Sequence, residues 1–169
     1  MKIRVLGSGT STGVPLVGCS CATCLSTDPR DKRLRPSILV ESDTTTVVID
    51  TSADFRYQML RENVKKIDAV VFTHHHFDHI GGFDDVRAFN FMLRKALPIY
   101  LMQETMDNLE RTFIYAFMDT GQKGGGVPVV VQHIIDKEAF RVGDIDFIPI
   151  PMMHGKMRVN GYRIGNFAY

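Results

Sequence analysis

The sequence has few of the features that place a protein in a membrane, outside the cell or on nucleic acid. None of its apolar runs approaches the ~20 residues that a membrane-spanning helix needs, and the opening MKIRVLGSG has too short an apolar stretch for a signal peptide. Charge is balanced, with 20 Lys and Arg against 19 Asp and Glu, so no general field draws the chain to nucleic acid or anionic lipid. These absences predict a cytoplasmic protein with no membrane partner and argue against nucleic acid as a ligand.

Cysteine is also scarce, and its three copies lie close together as Cys19, Cys21 and Cys24. In a reducing compartment, an odd and clustered set indicates metal binding or a reactive thiol rather than a disulfide framework. The alternative is burial as small apolar side chains. Three thiols at this spacing in a loop that carries Gly and Ser favour zinc, with a last ligand from a distant part of the chain.

The remaining composition is that of an ordinary globular protein. The 169 residues are 44% apolar and 23% charged, which excludes a disordered or collagen-like chain. The length fits one domain over residues 1–169, and neither a repeat nor a linker divides it.

The order of predicted elements is rich in strands with interspersed helices, which indicates an α/β class. Stretches of β-branched and apolar residues predict strands at residues 3–6, 37–41, 46–50, 68–73, 98–102 and 147–151. Helical spacing predicts helices at residues 55–62, capped by Ser52 or Asp54, at 84–96 and at 104–117. We expect a mobile loop at 124–126, turns at 143–144 and 160–161, and methionines, including Met152 and Met153, in the core.

The most informative segment follows the strand at 68–73 and reads HHHFDHIGG. In extended backbone, His74 and His76 point to the same side, so both can reach one metal ion. Asp78 and His79 follow in a tighter turn and can offer ligands to a second ion. Imidazole with carboxylate suits zinc, manganese or iron better than calcium or magnesium. A surface run like an affinity tag is the alternative, but this run is internal, follows a buried-type strand and is interrupted by Phe77.

The pattern HxHxDH after an apolar strand resembles the signature of the metallo-β-lactamase fold, and the four candidate ligands fill it completely. The resemblance implies an α/β fold of the αββα sandwich type. It implies that Asp50, at the end of VVID, supports the metal loop from behind the ligands. It also implies that His154 is the third imidazole of the first metal site.

The opening GSGTSTGVP, the CxCxxC cluster and the later GGFDDVRAFN resemble the phosphoribosyl cyclic phosphate phosphodiesterases of the carbon–phosphorus lyase pathway. This resemblance implies two divalent ions, zinc or manganese, at the catalytic site. It also implies a structural zinc on the three cysteines, a small phosphodiester substrate and a homodimer.

The sequence departs from that family in what it lacks. Neither the aspartate that bridges the two metals nor the later histidine of the second site is present, and the fourth ligand of the cysteine zinc is missing too. We therefore expect the C-terminal part of the fold to be missing, so that this chain is the N-terminal portion of a longer protein. Asp78 and His79 alone would then serve the second site.

The predicted activity is metal-dependent hydrolysis of a phosphoric diester by a metal-activated hydroxide, which Asp78 also orients as a catalytic residue. Arg87 either steers a phosphate or supports the ligands, and the alternative is an ordinary surface cation. His75 is expected to point away from the metals, and His133 to be a structural histidine. Three alternatives are a nuclease of tRNA 3′ ends with the same fold, a protein like the B protein of pyrroloquinoline quinone synthesis, and an inactive fragment that only binds metal.

Overall fold

The computed structural model describes residues 1–118 and 126–169, which form two β-sheets and a layer of helices. The strands are β1 (Lys2–Gly7), β2 (Ser37–Glu41), β3 (Thr46–Ile49), β4 (Ala69–Val71), β5 (Leu97–Leu101), β6 (Val130–Ile134), β7 (Phe140–Val142), β8 (Ile145–His154), β9 (Met157–Ile164) and β10 (Phe167–Ala168). The α-helices are α1 (Ala22–Leu25), α2 (Phe55–Arg61), α3 (Phe77–Ile80), α4 (Arg87–Leu93), α5 (Gln103–Thr112) and α6 (Ile114–Phe117). Short 3₁₀ turns span Pro29–Asp31 and Phe83–Val86.

The larger sheet has the strand order β1-β2-β3-β4-β5-β6. Its first three strands pair antiparallel, whereas β3 to β6 run parallel to one another. The carboxyl ends of β1 and of β3 to β6 therefore lie at the same edge of the sheet. The smaller sheet, β10-β9-β8-β7, is antiparallel throughout.

The larger sheet separates two apolar cores. Val48 of β3 faces the core shared with the helices, while its neighbours Val47 and Ile49 face the core between the sheets. Successive side chains of a strand point to opposite faces, and all three are fully buried, so both faces are covered. Phe147 and Tyr162 close the core from the smaller sheet. This layering confirms the predicted α/β sandwich, although residues 1–118 and 126–169 form no helical layer over the outer face of the smaller sheet.

The predicted helix at 84–96 is wrong in its first turn. Phe83 and Val86 lie three residues apart and are both fully buried, which suits the three-residue repeat of a 3₁₀ turn. The α-helix begins only at Arg87 and ends before Arg94, whose φ is +51°.

The predicted helix at 104–117 is interrupted. Phe113 leaves helical geometry, with φ −115° and ψ 44°, and its ring centroid lies 5.2 Å from that of Phe83. Packing of this ring into the helix-side core divides the segment into α5 and α6.

The capping prediction for α2 is also wrong. Asp54 occupies the N-cap position but makes no capping bond, because its carboxylate accepts hydrogen bonds from the backbone N–H and the guanidinium of Arg35 at 2.8 and 2.9 Å. The Ser52 hydroxyl instead accepts the Asp54 N–H at 3.2 Å.

Two expectations about the C-terminal strands are wrong. Asn160 and Gly161 lie within β9 rather than in a turn, and the reversal occurs at Gly155, whose φ is +63°. A side chain at Gly161 would meet the Tyr169 carbonyl and the Met152 side chain, so glycine here permits close packing. Met152 and Met153 are 47% and 66% exposed, because this half of β8 extends beyond the inter-sheet core.

The expected loop at 124–126 lies outside the described residues except for Gly126. Within the described ranges, every helix is too short or too polar to cross a bilayer.

Candidate metal centre

The centre lies where the parallel strands β3 and β4 end together. Ile49 and Val71 are paired and are the last residues of β3 and β4, so Asp50 directly follows one strand and Thr73 lies two residues beyond the other. Asp50 adopts φ +65°, a left-handed conformation that Asp tolerates better than most residues. The turn directs its carboxylate toward Thr73, at the start of the histidine segment.

Three histidines from both sheets converge at this edge. His74 and His76 come from the segment after β4, and His154 ends β8 of the smaller sheet. Ligand atoms of the three lie within 4.8 Å of one another. Their ring centroids are 4.8, 5.1 and 5.8 Å apart. Three imidazoles facing one point are a donor set that fits a zinc-like ion.

Asp78 and His79 lie beside this cluster in the first turn of α3. The His79 ring centroid is 4.0 Å from that of His74, and His79 Nε2 is 3.3 Å from Asp78 Oδ2. The pair thus offers one nitrogen and one carboxylate to a second metal ion next to the first. Among the described residues, the geometry fits a complete tridentate site and half of a second one.

A buried carboxylate forms hydrogen bonds with the histidine segment. Asp50 is fully buried, and it accepts hydrogen bonds from the Thr73 N–H at 2.8 Å, the Thr73 hydroxyl at 2.8 Å and His79 Nδ1 at 2.7 Å. The Thr73 hydroxyl also lies 2.9 Å from His74 Nδ1. Asp50 therefore has the position expected for support of the metal loop, and Thr73 is a member of the site that the sequence reasoning missed. Its place directly before His74 was the available signal.

The local environment favours the neutral form of His74. Burial, followed by the charges of His79, His76 and His154, lowers the pKa of His74 to about 3. Burial alone would lower the pKa of His79, but its hydrogen bond to Asp50 and the charges of Asp50 and Asp78 raise it overall. A neutral imidazole is the form that binds a metal.

The cysteines form a second, separate cluster around α1. The Sγ atoms of Cys19, Cys21 and Cys24 lie within 4.8 Å of one another. Hydrogen bonds from the Cys24 backbone, Cys19 and the Cys24 side chain lower the pKa of the Cys21 thiol. The pKa of Cys24 is raised, although the Leu16 N–H lowers it, because hydrogen bonds with Cys19 and Cys21 and burial act in the other direction. Cys21 is therefore favoured over Cys24 as the first thiolate. Three thiols fit a zinc site with one further position.

Arg87 contacts other groups in the described structure. Its guanidinium pairs with Asp84 at 3.0 Å and donates to the Gly126 carbonyl at 2.8 Å. Asp84 also accepts the Tyr115 hydroxyl at 2.6 Å. These contacts allow Arg87 to support the loop that follows the metal segment. A role of Arg87 in holding phosphate stays a prediction.

The other two histidines lie outside the cluster. His75 is half-buried, with Glu104 and Arg111 among the charges that act on it. His133 stacks on Tyr100 at 4.5 Å and is exposed, so its position matches the structural role expected for it.

Comparison with known families agrees with this geometry. Residues 45–169 match the model of the beta-lactamase superfamily domain. The match spans well over half of the chain, and the chain therefore belongs to this superfamily. The metallo-β-lactamase fold inferred from HxHxDH is confirmed.

The chain is also similar to particular proteins. It is 46% identical to a diphosphatase from the PhnP family whose crystal structure it matches with a TM-score of 0.89, over 99% of this chain and 63% of that one. This similarity confirms the predicted branch. The chain is 39% identical to an octanoyltransferase of Porphyromonas gingivalis over 170 residues, which cover 100% of this chain and 34% of that protein. It is 27% identical to coenzyme PQQ synthesis protein B of Methylobacterium radiotolerans, over 72% of this chain and 44% of that protein. The chain thus spans about a third of the length of the octanoyltransferase and under half of the length of the PQQ synthesis protein.

Proposed function

We propose that this chain carries the metal centre of a hydrolase that cleaves a phosphodiester in a small anionic molecule. The observation that carries the proposal is the convergence of His74, His76 and His154, from two different sheets, within 4.8 Å. Similarity at 46% identity to a diphosphatase of the PhnP family supports phosphorus–oxygen bonds as the target.

The donor atoms divide into two sets. His74, His76 and His154 would hold a first divalent ion, while Asp78 and His79 would contribute to a second. Zinc and manganese both suit imidazole with carboxylate. When bound, such ions lower the pKa of a water molecule toward neutrality and neutralise charge on phosphate oxygens.

Asp78 is the catalytic residue among them. Its half-buried carboxylate lies in the first turn of α3, 3.3 Å from His79 Nε2. As an acceptor, it can orient the attacking water and take its proton. The water oxygen forms a bond to phosphorus as the bond to the leaving oxygen breaks, and the leaving oxygen takes a proton from solvent.

The cysteine cluster has a structural role in this proposal. Cys19, Cys21 and Cys24 lie in the loop region that follows β1, where helix α1 has no buried residue to hold it in place. A zinc ion on these thiols would fix a segment that packing leaves unsupported. We propose that the protein acts in the cytoplasm, as a dimer.

The test is hydrolysis of bis(p-nitrophenyl) phosphate with added Zn²⁺ or Mn²⁺, by the wild-type chain and by His76→Ala. A matched control is His133→Ala, which removes an exposed imidazole outside the cluster. We expect turnover by the wild type and by the control, and a loss of at least about 100-fold in His76→Ala.

Parallel reactions with a diphosphate ester and with a short RNA separate the substrate classes. Faster turnover of the RNA would favour the nuclease alternative over a small phosphodiester. Metal binding without turnover of any of these substrates would contradict the proposal and leave a metal-binding fragment. Retention of activity in His76→Ala would contradict the assigned site.

A further inference from the structure

A single hydroxyl group connects ligands of the two donor sets. Thr73 Oγ1 lies 2.8 Å from Asp50 Oδ2, 2.9 Å from His74 Nδ1 and 3.3 Å from His79 Nδ1. Asp50 is fully buried and Thr73 is 8% exposed. The hydrogen-bond arrangement is therefore set by these four side chains.

The protons of this network can be assigned by counting donors. A hydroxyl has one proton to donate, and an ionised carboxylate only accepts. The short contact from Thr73 Oγ1 to Asp50 Oδ2 therefore uses the threonine proton. Toward His74, the same oxygen can only accept, so the proton of the neutral His74 ring lies on Nδ1.

The same count applies to His79. Its Nδ1 lies 2.7 Å from Asp50 Oδ2, and a carboxylate oxygen requires a donor there. His79 Nδ1 thus also bears a proton. In the neutral His74 ring, the lone pair that remains for a metal is on Nε2. In His79, Nε2 is the atom that faces Asp78, and it becomes available to a metal when it gives up its proton.

We propose that Thr73 is a positioning residue, whose hydroxyl holds His74 in the Nδ1–H tautomer and, with Asp50, couples the ligand geometry of the two metal positions. This inference rests on the proposed metal centre. It predicts that the two rings respond differently to loss of the Thr73 hydroxyl, because His74 hydrogen-bonds to that hydroxyl whereas His79 hydrogen-bonds directly to Asp50.

Valine at position 73 isolates the hydroxyl. Thr73→Val preserves the side-chain shape and keeps the backbone N–H that donates to Asp50 Oδ1 at 2.8 Å, so the carboxylate remains anchored. His79 keeps its bond to Asp50, and His74 loses the acceptor of its Nδ1 proton. Thr73→Ser restores the hydroxyl.

Thr105 provides a matched control. It is 1% exposed, and within the described ranges its hydroxyl has no hydrogen-bond partner. Thr105→Val makes the same chemical change in α5, outside the network of Thr73, Asp50, His74 and His79, and we expect it to leave both of these rings unchanged.

The first readout is the ring tautomer of each histidine in the metal-free, ¹⁵N-labelled 169-residue chain, from long-range ¹H–¹⁵N spectra. In the wild type, Thr73→Ser and Thr105→Val, we expect His74 as the Nδ1–H tautomer and His79 with a proton on Nδ1. In Thr73→Val, we expect His74 to shift to the Nε2–H form or to a mixture, while His79 is unchanged. A general loss of structure would alter both rings.

The second readout is zinc affinity, followed by the ring signals of His74 and His76 during titration. Loss of a group that orients a ligand weakens metal binding by about 10–100-fold, and we expect this in Thr73→Val alone. An Nε2–H tautomer of His74 in the wild type would overturn the inference without any variant. A folded Thr73→Val chain with wild-type tautomers and affinity would also overturn it.

These outcomes are separable from failure of the proposed function. A wild-type chain that shows the expected tautomers but hydrolyses no phosphodiester would contradict the function and leave the role of Thr73 intact. If the wild type hydrolyses the phosphodiester but His74 is unchanged in Thr73→Val, the proposed function is supported and the role of Thr73 is contradicted.

Discussion

Replacement of Asp50 by asparagine should invert the hydrogen bonding behind both donor sets. The substitution preserves shape, and asparagine tolerates the φ of +65° that this position adopts. The backbone N–H of Thr73 donates to Oδ1 at 2.8 Å and cannot accept, so the amide oxygen must take that place. The amide nitrogen then faces the Thr73 hydroxyl and His79 Nδ1, at the present distances of 2.8 and 2.7 Å.

An amide nitrogen only donates, so both of its new neighbours must become acceptors. His79 would then move its proton to Nε2, and Thr73 would donate to His74 Nδ1 and drive that ring to the same form. The Nε2 atoms of His74 and His79 would then carry protons and could not bind a metal ion. We expect zinc affinity to fall by about 10–100-fold at the histidine site, which corresponds to about 1.4–2.8 kcal/mol.

The assay is a zinc titration followed by the histidine ring signals, with denaturant unfolding to show that the variant is folded. Asp68→Asn is a suitable control, since the Asp68 carboxylate also accepts a backbone N–H, from Thr46 at 2.8 Å, but Asp68 directly precedes β4, at the opposite end of that strand from the histidines. Binding by the cysteine cluster serves as an internal reference. A folded Asp50→Asn chain with wild-type affinity would refute the reasoning.

Three further predictions concern stability and the cysteine cluster. Tyr162→Phe removes the 2.6 Å hydrogen bond to the Phe72 carbonyl and should lower the free energy of unfolding by about 1–3 kcal/mol; an unchanged denaturation midpoint would contradict this. Gly82→Ala places a methyl group 2.2 Å from the Ser52 carbonyl and should cost about 1–3 kcal/mol, measured in the same way, whereas no loss would mean that the metal loop relaxes freely. Cys21→Ser should remove one zinc per chain by elemental analysis while preserving hydrolysis, and a parallel loss of hydrolysis would contradict a purely structural role.

The parts of the fold that were predictable are those determined by local pattern. Val47, Val48 and Ile49 form a continuous apolar run, as expected for a strand covered on both faces, and they lie in both cores. The shared orientation of His74 and His76 was predictable for the same reason, since alternate residues of extended backbone point to the same side. His154 lies far away in sequence, and only the family resemblance indicated it.

The parts that failed depend on long-range contacts. The pair Asn160-Gly161 has turn composition, but the Asn160 N–H donates to the Thr73 carbonyl and the glycine accommodates Tyr169, so tertiary packing outweighs local preference. Met152 and Met153 are apolar, and nothing in their local pattern shows that β8 extends past the core. The role of Thr73 required the positions of groups on two strands, which no spacing along one segment reveals.

The most direct test of the histidine centre is metal content per chain, measured by elemental analysis of the wild type and of His154→Ala purified without chelator. Because His154 is the ligand from the smaller sheet, its loss should remove the ion of the histidine cluster and leave the ion on the cysteines. We expect the variant to contain at least one ion fewer than the wild type. Equal metal content in the two proteins would contradict the assignment of His74, His76 and His154 as one metal site.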